Sequence, residues 1–317
     1  MRIQESTRRA KSLCIFAVLT ILASRFSFCR RKLRVRPGPA LVVPLATAKP
    51  VKSLDGISLP RVSDGKQVDL SSTLEGSKEK VMLVLGTHAA DFNVIEYLQR
   101  LRFYLPALQK KGVKRFLVVV NGEISSCSKL AELLDLPTEI ELLSDPTGEA
   151  GRRFGVSRGF RPDDSNLSPF LKLFVVGIGL GPPWGTLPAV LTGYLGNPSG
   201  RRDWIEATMQ QAQLAGRWPN VLELDEDGSF IRNKFDDFPL CGGWGRRPFE
   251  LASMRLQTLL GIQREHWDEL KPVDDRCLTQ LGGCTVVGPG GEPVFSWVDE
   301  GLCDIPDMKE LLDAIEM

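Results

Sequence analysis

The sequence predicts an α/β protein in which a mixed central sheet is flanked by helices, and three observations carry this prediction. Short apolar runs alternate with helical patterns through residues 80–154, and two further apolar runs flank the glycine-rich turn at residues 288–291. The chain has 317 residues, of which 43% are apolar and 25% are charged. This composition is that of a globular protein and excludes disordered, collagen-like and disulfide-scaffold proteins.

The first strand and helix are predicted from the segment that begins at residue 80. Lys80–Gly86 is a short apolar run that ends in glycine, and leucines and Val94 then recur as far as Leu108 at steps of three and four. This spacing is that of an amphipathic helix, which Pro106 is expected to kink or end. The alternation continues with strands at 115–120 and 140–143 and helices at 126–134 and 148–154. Such an order implies parallel pairing through right-handed crossovers for at least the first two strands.

The end of the chain predicts a different arrangement. Residues 284–287 and 294–298 form a hairpin around the Gly288–Gly291 turn, and a last helix carries Met308, Leu311, Leu312 and Ile315. Between the two halves, residues 167–273 form a large, mostly helical insertion, with helices expected at 203–215 and 249–260. The apolar run 170–180 is expected to be a buried segment, and a membrane-surface patch is the less favoured alternative.

The N-terminus, residues 1–54, has the composition of a targeting presequence. Residues 1–24 are signal-like, because four basic residues precede an apolar run of eleven residues that is too short to cross a bilayer. Residues 25–54 are transit-like, because they carry eight basic residues and no acid. The two parts together resemble the presequence of plastid proteins in algae with complex plastids, which implies a plastid location. A secretory signal, a short anchor and a one-step chloroplast or mitochondrial presequence are the alternatives.

Charge and cysteine content exclude several classes of function. Residues 1–54 hold 12 of the 40 basic residues and one of the 39 acids, so the rest of the chain is acidic. An acidic body argues against nucleic-acid binding, which needs a basic face. The seven cysteines show no paired CxxC motif and no zinc-ligand spacing, and there are only two histidines. We therefore expect no metal and no cofactor.

Several motifs give the sequence a family resemblance. Leu143–Val156 (LSDPTGEAGRRFGV), Leu281–Phe295 (LGGCTVVGPGGEPVF) and Arg61–Gly65 (RVSDG) resemble the peroxiredoxin-like branch of the alkyl hydroperoxide reductase and thiol-specific antioxidant (AhpC/TSA) family. Leu101–Leu108 and Gly242–Pro248 resemble a cyanobacterial and plastid subgroup of that family. The order of strands and helices is that of the thioredoxin-like superfamily.

The resemblance implies a thioredoxin-like fold interrupted by the insertion. Residues 55–166 form its N-terminal half, residues 167–273 the inserted helical subdomain, and residues 274–317 the C-terminal hairpin and helix. It also implies a peroxide-attacking cysteine in a Thr-x-x-Cys context, at the start of the helix after the first strand, where the helix dipole stabilises a thiolate.

The loop that should carry this cysteine does not contain one. Thr87 fits the family pattern, but the cysteine position falls on Ala90. In the CxxC alignment of the peroxiredoxin-like branch, the two positions fall on Asp91 and Val94. The substrate-positioning arginine of the family falls near Gly282. We therefore expect a degenerate active-site loop, in which His88 acts with Asp91 as a base or ligand or is simply a solvated loop residue.

Two other sets of residues are candidates for a role. Cys127 follows the Ser125–Ser126 pair, a plausible N-cap, and is expected near the 86–93 loop, because the carboxyl ends of adjacent parallel strands share one edge. It is either the thiol of an oxidoreductase, with a lowered pKa, or a buried inert cysteine. Arg246 and Arg247, after three glycines, form either an anion-binding site or a tight connection before a helix.

These expectations combine into a functional hypothesis. The chain is expected to be a plastid thioredoxin-fold protein without thiol peroxidase activity, which serves in binding, assembly or redox regulation. The alternative is an antioxidant thiol-disulfide oxidoreductase that uses Cys127. A protein partner is expected, nucleic acid is not, and peripheral membrane association stays open.

Overall fold

The computed structural model describes residues 51–178, 201–218, 220–237, 247–302 and 304–315. All described residues belong to one compact unit, Val42–Met317. The predicted presequence therefore lies outside the described residues, apart from the short 3-10 helix Val51–Leu54.

A mixed five-stranded sheet forms the centre of this unit, as predicted. The described strands are β1 (Ser58–Pro60), β2 (Gln67–Asp69), β3 (Lys80–His88), β4 (Val113–Asn121), β5 (Ile140–Ser144), β6 (Leu222–Leu224), β7 (Phe230–Asn233), β8 (Gly283–Val287) and β9 (Pro293–Val298). The strand order of the central sheet is β5-β4-β3-β8-β9, in which β3, β4 and β5 are parallel, whereas β8 pairs antiparallel with both β3 and β9. Two small antiparallel pairs, β1 with β2 and β6 with β7, lie outside this sheet.

Helices cover both faces of the sheet. They are α1 (Leu70–Glu75), α2 (Phe92–Lys110), α3 (Ile124–Leu134), α4 (Glu149–Phe154), α5 (Pro169–Ile178), α6 (Asp203–Leu214), α7 (Arg247–Thr258), α8 (Trp267–Leu270) and α9 (Met308–Ala314). A π-helical stretch, Leu259–Arg264, continues α7, and 3-10 turns occupy Lys234–Asp237 and Asp275–Cys277. No helix among the described ranges is both long enough and apolar enough to pass through a membrane.

Alternation along β3 explains why both faces are covered. Met82 and Val84 belong to one hydrophobic cluster, whereas Val81, Leu83 and Leu85 belong to another. Side chains of successive strand residues point to opposite faces, so a strand that is apolar at every position needs a partner layer on each side. The first cluster includes residues of α2, α3 and α9, and the second includes residues of β1, β2, α1 and α4.

Helix α2 corrects one expectation from the sequence. Pro106 was expected to kink or end the helix, and the helix continues through it to Lys110, so the expected end at the proline is wrong. Proline removes one backbone hydrogen bond from a helix. Leu105 and Leu108 on either side of it are buried in the first cluster, and their packing offsets that loss.

The helices from the predicted insertion pack onto the first cluster. It contains Trp204 and Met209 of α6 and Leu251 and Met254 of α7, together with the apolar face of α2. The β6–β7 hairpin in this segment was not predicted, because its strands are short and its turn lies in a run of acids. In α5, Val176 is buried whereas Leu171 is 41% exposed, and residues 179–180 of the predicted buried run lie outside the described residues.

Candidate functional site

The expected active-site loop lies at the carboxyl end of β3 and leads directly into α2. Asp91 is the N-cap of α2, and its carboxylate accepts a hydrogen bond from the backbone N–H of Asn93 at 3.0 Å. The Thr87 hydroxyl oxygen accepts one from the N–H of Val94 at 3.3 Å. The first free N–H groups of the helix are thus satisfied by side chains of the loop itself.

The position where the family resemblance implies a reactive cysteine is closed to solvent. Ala90 is fully buried, and so is its neighbour Ala89. The loop from Gly86 to Asn93 contains no thiol.

His88 is buried rather than solvated, so the simple interpretation of a solvated loop histidine is wrong. Its side chain stands edge-on to the Trp267 ring, with ring centroids 6.2 Å apart and an interplanar angle of 89°. Burial lowers the pKa of His88 and outweighs the opposing effects of the Asp91 charge and of the backbone of Leu278, which is a hydrogen-bond partner of the ring. The imidazole is therefore neutral near pH 7, with one nitrogen as a donor and the other as an acceptor.

Asn121 lies beside His88 at the same edge of the sheet. The two residues are Cα partners across the parallel strands β3 and β4. The side-chain amide nitrogen of Asn121 is buried and has no hydrogen-bond partner. Buried polar groups are nearly always hydrogen-bonded, so the unpartnered amide of Asn121 marks this edge as unusual. The Asn121–Gly122 dipeptide directly after an apolar strand is a sequence signal for a polar group at this edge, but no role was predicted for Asn121.

A buried carboxyl group behind the loop was missed altogether. The Tyr97 hydroxyl donates to Asp299 Oδ1 at 2.8 Å, and the Asn93 amide donates to Asp299 Oδ2 at 3.3 Å. Burial, reinforced by the negative charge of Asp304, raises the pKa of Asp299 well above its usual range. Burial likewise raises the pKa of Asp91. Asp299 follows a strand and precedes Glu300, so locally it looks like a surface turn residue.

Asp299 also explains the residue at position 282. A Cβ atom on Gly282 would lie 2.9 Å from Asp299 Oδ2 and 2.9 Å from the Leu85 carbonyl oxygen. Only glycine fits there without a shift of its neighbours. Where the family resemblance implies an arginine, this chain places a buried carboxyl group, so the local charge is reversed in sign or abolished by protonation.

Cys127 lies close to the loop, but its chemistry differs from the expectation. A Cβ atom on Gly122 would lie 3.7 Å from Ala89 Cβ and 3.8 Å from Cys127 Sγ, so the three residues are neighbours. Helix α3 begins at Ile124 with Glu123 as its N-cap, not at the predicted serine pair. The N–H of Cys127 already donates to the Glu123 carbonyl, so it stabilises no thiolate.

Burial raises the pKa of Cys127 to about 12, and its Sγ donates to the Gly122 carbonyl at 3.6 Å. The expected lowering of this pKa is therefore wrong. Cys277 and Cys284 are also free and buried, which excludes a disulfide between them. Burial raises the pKa of Cys277 to about 12 and that of Cys284 further. Cys241 and Cys303 lie outside the described residues.

The remaining candidates do not join this site. Arg246 lies outside the described residues, and Arg247 is the first residue of α7, with only its backbone described. Within the ranges that the structure describes, no group of three or more His, Cys, Asp or Glu side chains could hold a metal ion.

The mixed sheet, the helix that follows β3 and the C-terminal hairpin define a thioredoxin-fold protein. A model of the AhpC/TSA antioxidant enzyme family matches residues 100–301. The chain belongs to this family, which is redox-related. The match begins after the 86–93 loop and runs through the segment predicted to be an insertion. Searches of curated proteins and of solved structures gave no significant match.

Proposed function

We propose that this protein is a member of the AhpC/TSA family that lacks the peroxidatic cysteine and acts in plastids by binding, assembly or redox-linked regulation. One observation carries the proposal: the helix-start position that would activate a thiol holds the buried Ala90. Its surroundings point the same way, because Asp91 and Asp299 add negative charge or neutral carboxyl groups where a thiolate needs positive charge.

The alternative is a thiol-disulfide oxidoreductase that uses Cys127. The closeness of Cys127 to the 86–93 loop favours it, whereas the raised pKa of the thiol argues against it. Cys127 Sγ lies beside the loop, but a pKa of about 12 leaves almost no thiolate at neutral pH. A buried, protonated thiol neither attacks a disulfide nor reduces a peroxide at a useful rate. Cys127 therefore supports the core more readily than it supports catalysis.

A peroxidase assay tests the central claim. Full-length protein with a thioredoxin reductant should consume hydrogen peroxide at the rate of the protein-free control. Ala90→Cys restores a thiol at the family position, and Ala89→Cys is a matched control, because both alanines are fully buried. Activity in the Ala90→Cys variant alone would assign the loss to the missing thiol. Turnover by the native chain would overturn the proposal.

The location and the partner are part of the same proposal. The basic, acid-free segment 25–54 after a signal-like one supports plastid import, and mass spectrometry of the native protein should find no peptide N-terminal to about residue 41. The net negative charge of the chain after residue 54 supports a protein partner over nucleic acid. The apolar helix α5 supports peripheral membrane association as a further possibility within this proposal. Affinity purification from intact plastids should recover a specific complex rather than thioredoxin or glutathione enzymes.

A further inference from the structure

The first residues that the structure describes belong to the hydrophobic core. In the 3-10 helix Val51–Leu54, Val51 is 5% exposed and Leu54 is fully buried. Both belong to the second hydrophobic cluster, which also contains Leu74 of α1 and Phe154 of α4. Burial of large apolar side chains is a main source of stability in a folded domain. The fold therefore depends on residues that composition alone assigns to the presequence.

Hydrogen bonds hold the chain immediately after this 3-10 helix. The Ile57 N–H donates to the Leu54 carbonyl at 3.1 Å. The Ser71 hydroxyl of α1 donates to Asp55 Oδ1 at 2.5 Å, and Arg153 Nη1 of α4 donates to the Asp55 carbonyl at 3.5 Å. Removal of residues 51–54 would therefore take away part of the core and the beginning of a segment that two helices hold in place.

The sequence just upstream has the three-part order of a cleavable signal. Residues 30–36 include five basic residues, and residues 39–46 form an uncharged run of eight residues, of which six are apolar. Ala46-Thr47-Ala48 follows, with a small side chain at its first and third positions. A basic part, an apolar part and a small-residue motif in this order are typical of a segment that is removed by cleavage directly after the motif. The sequence therefore indicates a cut after Ala48.

The limit set by the core and the limit set by the motif agree. Only Lys49 and Pro50 stand between Ala48 and the buried Val51. A cut after Ala48 therefore removes the whole motif and leaves the core complete. A cut after residue 54 would instead leave an unfilled space beside Phe154, which lowers stability.

We propose that the mature protein begins at Lys49, after hydrolysis of the Ala48–Lys49 peptide bond by a protease that binds the small side chains of Ala46 and Ala48. Water adds across the bond, so that Ala48 gains a carboxylate and Lys49 gains a free amino group. The assignment rests on the presequence of the proposed function. It does not rest on the plastid location, because the same bond is cut in any compartment that holds such a protease.

Labelling of the free amino terminus tests the assignment. Native protein from intact plastids is labelled at its amino groups before digestion, and mass spectrometry identifies the labelled terminus. We expect one predominant terminus, at Lys49. Any other predominant terminus, or a ragged set without one, would overturn the assignment. A Lys49 terminus on protein recovered from another compartment would support the cleavage site and contradict the plastid location instead.

Three substitutions in the full-length chain test whether small side chains direct the cut. Ala46→Phe and Ala48→Phe place a ring where a small residue is needed, so each should reduce the yield of the Lys49 terminus by about tenfold or more. Thr47→Phe is the matched control, because the middle position of the motif is unrestricted, and it should leave that yield unchanged. If all three substitutions have the same effect, or none has any, the motif does not direct the cleavage.

The limit set by the core has a separate test in the full-length chain. Leu54→Ala should lower the urea midpoint of unfolding by about 1 M, and Val51→Ala should lower it less. Lys52 is exposed in the same 3-10 helix, so Lys52→Ala is the control and should not shift the midpoint. Equal midpoints for the Leu54 and Lys52 variants would show that the core does not need residues 51–54, which contradicts the reason for placing the cut upstream of Val51.

Discussion

Two buried carboxyl groups, one on helix α2 and one packed against it, are stabilised in opposite ways. Glu96 is clamped by two arginines, with Arg255 Nε 2.8 Å from Oε2 and Arg100 Nη2 2.6 Å from Oε1. Asp299, which contacts α2 through Tyr97 and Asn93, receives its hydrogen bonds from neutral groups. The arginines lower the pKa of Glu96 to about 2, against the effect of burial, whereas burial raises that of Asp299.

The difference separates structural contacts from candidate functional ones. The Glu96 cluster joins α2 to α7, and Arg100 also lies over the Trp204 ring of α6 at 4.7 Å, so ion pairs and packing coincide there. The region of Asp299, Asp91 and His88 has buried titratable groups without a cation among these contacts. Strongly shifted pKa values without full pairing are more common at functional sites than in structural ion-pair networks.

The largest expected change in stability concerns Glu96, the carboxylate that is paired with arginines. Arg255→Met removes one partner of Glu96 and leaves a buried carboxylate with only Arg100, which should lower the free energy of unfolding by about 3–5 kcal/mol. Urea denaturation monitored by tryptophan fluorescence measures this loss in the free energy of unfolding. Arg276→Ala, which breaks an exposed ion pair with Asp274, is the control and should cost less than about 1 kcal/mol. Equal losses would mean that the Glu96 cluster contributes no more than a surface pair.

A smaller effect concerns acid stability. The pKa of Glu96 is about 2 in the folded protein, against an ordinary value of 4.5, so its contribution is present above pH 4.5 and is lost as the pH falls towards 2. The loss amounts to roughly 3 kcal/mol. The double variant Glu96→Gln, Arg255→Met lacks the buried pair, so the difference between native and double variant should shrink across this range. A constant difference would contradict the pairing.

The smallest expected change in stability concerns Asp299, which has no cationic partner among its described contacts, and its dependence on pH has the opposite sign to that of Glu96. The folded-state pKa of Asp299 is raised, so rising pH removes stability from the native chain once the unfolded chain has lost its proton, above about pH 4. Asp299→Asn cannot ionise, so its stability relative to the native chain should increase by about 1–3 kcal/mol between pH 4 and pH 8.

Asp304→Asn provides the comparison for this last measurement. The pKa of Asp304 is raised only to about 6, mainly by burial, so the gain from its replacement should level off near that pH. The gain from Asp299→Asn should continue to grow above it. If both gains level off at the same pH, Asp299 and Asp304 titrate as one unit. The raised pKa could then not be assigned to Asp299 alone, and the contrast with Glu96 would no longer hold.

The sequence itself determined the sheet and the helices around it. Short continuous apolar runs and the 3.6-residue apolar period are local properties, so β3, α2 and the C-terminal hairpin follow from them with errors of a few residues at their ends. That the 86–93 loop contains Ala90 and no cysteine is likewise a fact of sequence. Helix propensity alone could not decide whether α2 ends at Pro106, because packing on both sides of the proline lets the helix continue to Lys110.

Only the tertiary structure decided what surrounds the loop. Asp299 meets Asn93 across 206 positions of sequence, and Glu96 meets Arg255 across 159, so no local pattern announces either contact. The choice between the two interpretations of Cys127 also needed the structure, because a thiol pKa depends on burial and neighbouring charge rather than on its place in a helix, and burial favours the inert cysteine. Composition and periodicity fix which elements form, whereas the dielectric and the partners of a side chain exist only after distant segments have packed together.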